Sequence, residues 1–294
     1  MEHRTGSFRG RGGLTIFYQC WRPRGPAAAS ASGSAGPGPG GRSPAPVAVA
    51  HGLSEHSGRY AHLAAYLVER GHPVWALDHR GHGRSGGVRV YVDRFEDYLE
   101  DLRRFLDLVR REEGRAPVLV GHSMGGLIAL AYGLTRPEDL AGLVLSSPWL
   151  GLRLRPPLPL RLLVPVLSRV APRLPVPNEG LLQYVCRDPE LLQQYQTDPL
   201  RARTATPRWY AEALRTQRWV VRRAAELRVP VLFLVAGDDR LVDVETTRRV
   251  YQSVPGPKEW RFYLDMYHEV FNDPDRQRVF ADLHRWLVEQ GLAN

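Results

Sequence analysis

Residues 118–134 constrain this chain more than any other stretch. Val118-Leu119-Val120 is an apolar run of strand character, and 126–134 has the apolar content of a buried helix. Only Gly121-His122-Ser123-Met124-Gly125 stands between them. A strand must therefore reverse into a helix within five residues, with a serine at the apex. A G-x-S-x-G turn of this kind holds its serine in a strained, exposed backbone conformation. The flanking glycines are required because a Cβ there would crowd the turn. The helix that follows aims its unpaired N–H groups at charge developing on a reacting acyl oxygen. The competing reading is a glycine-rich packing turn.

The same alternation runs along most of the chain. Strand character occurs at 14–22, 47–50, 73–77, 117–120, 140–145, 229–235 and 260–264. Helical spacing of apolar residues occurs at 60–70, 91–110, 126–134, 244–254 and 274–290. The clearest case is 91–110, with Phe95, Leu99, Leu102, Leu106 and Val109 on one face. Strand then helix, repeated, requires a mostly parallel sheet covered on both faces, the α/β class. The rhythm breaks at 151. Residues 151–177 mix prolines with leucine, valine and arginine, and helical patches follow at 179–195 and 207–226. The expected organisation is one α/β domain in two parts, 1–150 and 227–294, interrupted by a mainly helical cap at 151–226. Residues 25–45 are low-complexity Gly/Ala/Pro/Ser with nothing to bury, and are expected to form a flexible loop.

A serine is a weak nucleophile until a histidine takes its proton, and the histidine needs an oriented acid. On a turn of this type the acid and the histidine follow the serine in that order. Two histidines lie downstream of Ser123. His284 falls inside the last helix, whereas His268 follows a strand in a short loop, so His268 is the candidate base. The acid should end the preceding strand, where Asp238 and Asp239 both qualify and Asp243 is a third candidate. One of them is expected to cap the next helix instead. The oxyanion donors expected are the backbone N–H of Met124 and that of Leu53, which follows the strand at 47–50. His51 reads as a loop brace.

Composition narrows the function further. The formal net charge of +9 suggests an acidic partner, but Lys258 is the only lysine among 40 basic residues and the arginines are spread without a basic stripe. That pattern fits a GC-rich coding bias better than a nucleic-acid partner, and none is expected. No P-loop is present. Gly81-His-Gly83-Arg-Ser-Gly86 matches a dinucleotide fingerprint, but the acids about 20 residues on lie inside a helix instead of ending a strand. Six of the ten histidines fall between His51 and His82 without a metal-binding spacing, so bracing hydrogen bonds are expected there. Cys20 and Cys186 are far apart and read as reduced thiols. Without a targeting segment or a membrane-length apolar run, a cytoplasmic protein is expected.

Taken together, several stretches resemble the monoglyceride lipase / lysophospholipase branch of the α/β-hydrolase superfamily. They are His51-Gly-Leu-Ser-Glu55-His-Ser-Gly-Arg59-Tyr60, Asp78-His-Arg-Gly-His-Gly-Arg-Ser85, Gly121-His-Ser-Met-Gly-Gly126, Ala236-Gly-Asp-Asp239-Arg-Leu-Val-Asp243 and Tyr267-His268-Glu. Arg187-Asp-Pro-Glu190 and Asp198-Pro-Leu200 add to the likeness. The resemblance implies the α/β-hydrolase fold with about eight strands, Asp239 as the acid, and a mobile cap over an acyl-chain tunnel. It also implies that Glu55, Arg59 and Tyr195 hold the alcohol part of the substrate. Two features depart from the family. Phe271 stands where animal relatives often carry a second histidine, and the 25–45 insertion is longer than usual.

The expected function is therefore a serine hydrolase of lipid carboxylic esters, monoacylglycerol or lysophospholipid, working without a cofactor or metal. Short-chain carboxylesterase and acyltransferase activities use the same residues, and a non-catalytic binding protein on the same scaffold is the alternative of another class. In the cap, Leu158, Leu160, Leu162, Leu163, Val166 and Leu167 either pack internally or touch a lipid surface. Arg153, Arg155, Arg161 and Arg169 interleave with them and suit peripheral contact with an anionic membrane.

Overall fold

The computed structural model describes residues 1–24, 43–153 and 157–293. Most of the 25–45 insertion and Arg155 therefore lie outside the described residues. In chain order the first part comprises β1 (Glu2–Arg9), β2 (Thr15–Arg22), β3 (Val47–Ala50), α1 (Ala61–Val68), β4 (Val74–Leu77), α2 (Glu96–Glu113), β5 (Val118–His122), α3 (Met124–Thr135) and β6 (Gly142–Ser146). Then come α4 (Leu158–Val170), β7 (Val176–Pro177), α5 (Pro189–Thr197), β8 (Thr204–Ala205) and α6 (Pro207–Arg223). The chain closes with β9 (Val231–Ala236), α7 (Val244–Ser253), β10 (Lys258–Tyr263) and α8 (Arg276–Glu289).

Eight strands make one sheet in the order β1-β2-β4-β3-β5-β6-β9-β10, an α/β-hydrolase arrangement. From β4 to β10 neighbouring strands run parallel, while β1–β2 and β2–β4 are antiparallel. The central strands VAVA, VLVGH and VLFLVA are buried along their whole length, as strands covered on both faces must be. Alternate residues divide between two cores. Ala48, Leu119, Phe233 and Val235 face α2, α3 and α6, whereas Val47, Val118, Leu232 and Leu234 face α1 and α8. The period of two along each strand thus sorts the core into two layers.

Two elements differ from the sequence-based expectations. Strand β1 was not anticipated, because EHRTGSFR lacks apolar alternation; it is an edge strand whose stability comes from ladder pairing to β2, from Glu2↔Arg22 to Arg9↔Thr15. The helix expected from residue 91 begins only at Glu96, after Val90 takes a positive φ of 45°. Helix α4 lies in the segment expected to be mainly helical and accommodates its prolines. Pro159 sits in its first turn, where no N–H is needed, and the carbonyl of Pro165 accepts bonds from Ser168 Oγ (2.9 Å) and Arg169 Nη1 (2.9 Å).

The segment between β6 and β9 is mainly helical. Its last helix, α6, is also part of the core. Trp209 stacks on Trp149 at 5.3 Å between ring centroids, and Ala213 and Val220 are fully buried. Helix α4, by contrast, leaves Leu158, Leu162, Leu163, Val166 and Val170 exposed, each at least half accessible to solvent. Among the described residues no helix is long and apolar enough to cross a membrane.

Candidate active site

Ser123 stands between β5 and α3 with φ 51° and ψ −114°. A non-glycine residue rarely adopts this conformation, and the surroundings enforce it. A Cβ on Gly125 would lie 2.0 Å from the Ala50 carbonyl oxygen, and one on Gly121 would lie 2.4 Å from the Gly125 carbonyl oxygen. Strand β3 and the turn can approach this closely only because both positions are glycine. The Ser123 amide donates to the Ser146 carbonyl (3.0 Å), and its carbonyl accepts from Leu127 and Trp149.

The loops after β9 and β10 bring the other expected residues to the serine. His268 Nε2 is 2.8 Å from Ser123 Oγ, and His268 Nδ1 is 2.7 Å from Asp239 Oδ2. Asp239 Oδ1 accepts from the backbone N–H groups of Leu241 (2.9 Å) and Val242 (3.0 Å), which fix the carboxylate. The three candidate acids separate by environment. Asp239 is fully buried against His268, Asp238 is half-buried and pairs with Arg240, and Asp243 caps α7 through the Glu245 amide. His284 faces His72 from α8, away from the serine.

The electrostatics of the pair are consistent with this geometry. Burial disfavours a charged His268, but the charge and hydrogen bond of Asp239 outweigh it, and its pKa is raised above the ordinary histidine value. Burial likewise disfavours a charged Asp239, but His268 and the two amides hold its pKa below the usual carboxylate range. His122, directly before the serine, behaves differently. It is fully enclosed, and burial together with nearby His268 lowers its pKa to about 3. It stays neutral and bonds Ser146 Oγ at 3.2 Å.

The expected oxyanion donors are available. Among the described residues, neither the Leu53 nor the Met124 amide donates a hydrogen bond inside the protein. The Leu53 loop is braced from behind. Glu55 Oε1 accepts from the Gly52 amide (2.5 Å) and the Tyr60 hydroxyl (2.8 Å). His51 Nδ1 donates to the Gly52 carbonyl (2.7 Å), which leaves Nε2 to accept from the His79 amide (2.9 Å). His51 thus acts as the loop brace its position suggested, and among the described residues no group of three or more His, Cys, Asp or Glu could hold a metal.

A cavity opens above Ser123 and His268. Its lining includes apolar residues (Trp149, Leu152, Leu182, Val185, Leu241, Val242) and polar ones (Ser54, Glu55, Asn178, Tyr195, Arg201, Glu269). Glu55 and Tyr195 therefore reach the wall as expected. Arg59 does not. Its guanidinium lies behind the wall, where Nη1 and Nη2 reach the two oxygens of Glu269 at 2.7 and 2.8 Å and Nη1 also reaches Glu55 at 3.1 Å. Its Cζ lies 4.0 Å from the centre of the Tyr195 ring. Four polar wall residues were not anticipated as site residues: Ser54, Glu269, Asn178 and Arg201. Glu269 directly follows His268 and was in view only as part of a motif. Nothing in the order of residues indicates that the latter two face Ser123. Phe271 packs against Tyr60 and Phe280 in the core beneath the site.

Comparison with known proteins agrees with this fold. Residues 41–275 match the family model described as serine aminopeptidase, S33. The monoacylglycerol lipase of Mycolicibacterium smegmatis is 35% identical over 285 residues, covering 96% of each chain. Phospholipase YtpA of Bacillus subtilis is 34% identical over 238 residues, covering 80% of this chain and 91% of that protein. The crystal structure of Paleococcus ferrophilus monoacylglycerol lipase superposes with a TM-score of 0.76 at 31% identity, covering 84% of this chain and 96% of that one.

Proposed function

Because this chain belongs to the S33 family of α/β-hydrolases and is a carboxylic ester hydrolase, we propose that it cleaves the ester of single-chain glycerolipids, monoacylglycerol or lysophospholipid, through a Ser123–His268–Asp239 triad. The observation that carries this reading is the unbroken relay from Ser123 Oγ through His268 to Asp239, with contacts of 2.8 and 2.7 Å. Ser123 attacks the ester carbonyl while His268 Nε2 takes its proton. Asp239 fixes the tautomer and stabilises the imidazolium. The Leu53 and Met124 amides hold the oxyanion, and donors of this kind are each worth roughly 10²–10³ in rate. His268 then gives its proton to the leaving alcohol. Water, activated by the same histidine, releases the fatty acid from the acyl-serine. The chemistry needs only side chains, backbone amides and water.

The lipid reading is supported by the apolar residues lining the cavity and by the names of the relatives, which are lipases and a phospholipase. The family description names an aminopeptidase, and acyl-enzyme chemistry serves amides too, so the substrate test must include peptides. In this reading 151–226 is a cap over the cavity, and the exposed leucines of α4 contact a lipid surface. Tyr195 contacts the alcohol, and Glu55 and Arg59 position the Leu53 and His268 loops.

A panel of monoacylglycerols, lysophospholipids, p-nitrophenyl esters of graded length and aminoacyl amides tests the substrate class. The expected kcat/KM maximum falls on a long-chain glycerolipid. A maximum at acetate, butyrate or an aminoacyl amide would overturn it. Ser123→Ala is expected to abolish both turnover and labelling by a fluorophosphonate, and persistent labelling would refute the assignment of the nucleophile.

A further inference from the structure

Arg201 is 8% exposed, so it is a nearly buried cation on the cavity wall that also carries Ser123 and His268. Among the described residues its guanidinium makes no ion pair or hydrogen bond, and Nε is buried without a partner. Its one side-chain neighbour of note is the Tyr195 ring, 5.1 Å from Cζ. Arg59 approaches the same ring, but Arg59 is fully engaged by Glu269 and Glu55. Two arginines thus flank one tyrosine, and only the one facing the cavity lacks a counter-charge. An uncompensated buried cation is costly, and a site that keeps one is suited to a ligand that supplies the anion.

The carboxylates on the same wall do not cancel it. Glu269 is neutralised by the fork of Arg59 and its pKa is held down to about 2 against the effect of burial. Glu55 is likewise engaged, accepting from the Gly52 amide, the Tyr60 hydroxyl and Arg59 Nη1. Of the charged side chains on this wall, Arg201 is the one without a partner among the described residues. A cation among polar side chains suits the polar headgroup of a substrate and not its acyl chain. The Ala202 amide donates to the Ser54 carbonyl (3.0 Å), which ties the Arg201 segment to the loop that carries Leu53. Nearby, Asn178 Nδ2 bonds Ser54 Oγ at 2.6 Å, while its buried Oδ1 has no partner and can accept from a hydroxyl.

We propose that Arg201 is a specificity-determining residue that binds a phosphate on the alcohol side of the scissile ester, so that this enzyme favours anionic acylglycerol phosphates over neutral monoacylglycerols. The inference rests on the ester-hydrolase reading and deepens it. Water supplies a hydroxyl to the acyl carbon and a proton to the departing glycerol oxygen, and the phosphate ester is left intact. Asn178 Oδ1 accepts from the free glycerol hydroxyl.

The test compares kcat/KM for 1-acylglycerol 3-phosphate and 1-acylglycerol with the same chain. The wild type should prefer the phosphate, and Arg201→Gln should lower the phosphate-to-neutral ratio by roughly 10- to 100-fold, the value of a charge-assisted contact. Arg201→Lys should restore part of the ratio. If the variants fold poorly, inhibition of the wild type decides. Glycerol 3-phosphate should compete with a neutral ester far better than glycerol, and less well at high salt. Inorganic phosphate competing equally well would show a free-anion site and overturn the headgroup assignment. An unchanged ratio in Arg201→Gln, or equal inhibition by glycerol and its phosphate, would overturn the inference while leaving the hydrolase reading intact. Failure of every ester to turn over would instead remove the hydrolase reading.

Discussion

Arg59 binds Glu269, the neighbour of His268 in sequence, through two parallel hydrogen bonds of 2.7 and 2.8 Å. A charged fork from the turn after β3 is thereby tied to the loop that delivers His268. Both partners are buried, so removing one strands the other. Arg59→Leu should cost about 3–5 kcal/mol, read as a drop in melting temperature of roughly 10 °C. Arg59→Lys keeps the charge but loses the fork and should fall in between. The double variant Arg59→Leu/Glu269→Gln should recover part of the loss. A wild-type melting curve for Arg59→Leu would show that the pair contributes nothing.

The pH profile follows from His268. As a base it works only when neutral, and its pKa is raised above the ordinary value. The acid limb of kcat/KM should therefore lie above the roughly 6.5 of an unperturbed histidine. Asp239→Asn removes the charge responsible, so the limb should move to lower pH while kcat falls by roughly 10⁴. Stability has the corresponding sign. The raised His268 pKa contributes stability that is fully present below its unfolded value and is lost as pH rises through the folded value. Asp239, with its pKa lowered, contributes stability that is present above its unfolded value and lost as pH falls through the folded one. A limb that stays in place in Asp239→Asn would contradict this assignment.

The φ of 51° at Ser123 is a stored cost. Ser123→Gly should relieve it and stabilise the fold by about 1 kcal/mol, measurable by denaturant unfolding. Ser123→Ala, which keeps the Cβ, should not. Both should be inactive. Equal stability of the two variants would mean that the turn is unstrained.

Close approach is tested by two glycines. At Gly125 a Cβ would meet the Ala50 carbonyl oxygen at 2.0 Å, whereas at Gly256 it would meet nothing within 4 Å. Gly125→Ala should lose soluble, folded protein or all activity, and Gly256→Ala should stay within about 0.5 kcal/mol of wild type. An active, stable Gly125→Ala would show that β3 and the turn are less tightly apposed than described.

The parts of this molecule legible in the sequence are those set by local pattern. The central strands announced themselves as short apolar runs, and Ser123 was marked by the strand and helix on either side of it. His268 could be singled out because only one alternative followed the serine, and that alternative lay in a helix. The choice among Asp238, Asp239 and Asp243 was not local. It depends on which side chain points towards a histidine 29 residues away. Arg59, Glu269 and Arg201 are further cases. Their roles arise from burial and from partners brought together by the fold, and a lone arginine in an arginine-rich chain carries no signal of either. Strand β1 was illegible because backbone pairing, not apolar burial, holds it.

The exposed face of α4 predicts surface binding. Leu162 and Leu163 are 69% and 50% exposed and would each contribute roughly 1.5–3 kcal/mol if buried in lipid. Leu162→Asp/Leu163→Asp should reduce vesicle binding in a sedimentation assay by more than about 10-fold, with turnover of a water-soluble ester retained. Unchanged vesicle binding would remove α4 from the membrane contact.

The central claim is that ester cleavage proceeds through an acyl group carried by Ser123. Rapid quenching of the enzyme with a long-chain monoacylglycerol or lysophospholipid, followed by mass spectrometry of the peptides, tests it directly. The account predicts a transient mass increase equal to the acyl group on the peptide containing Ser123, absent in Ser123→Ala. An adduct on another residue, or multiple turnovers by Ser123→Ala, would contradict it.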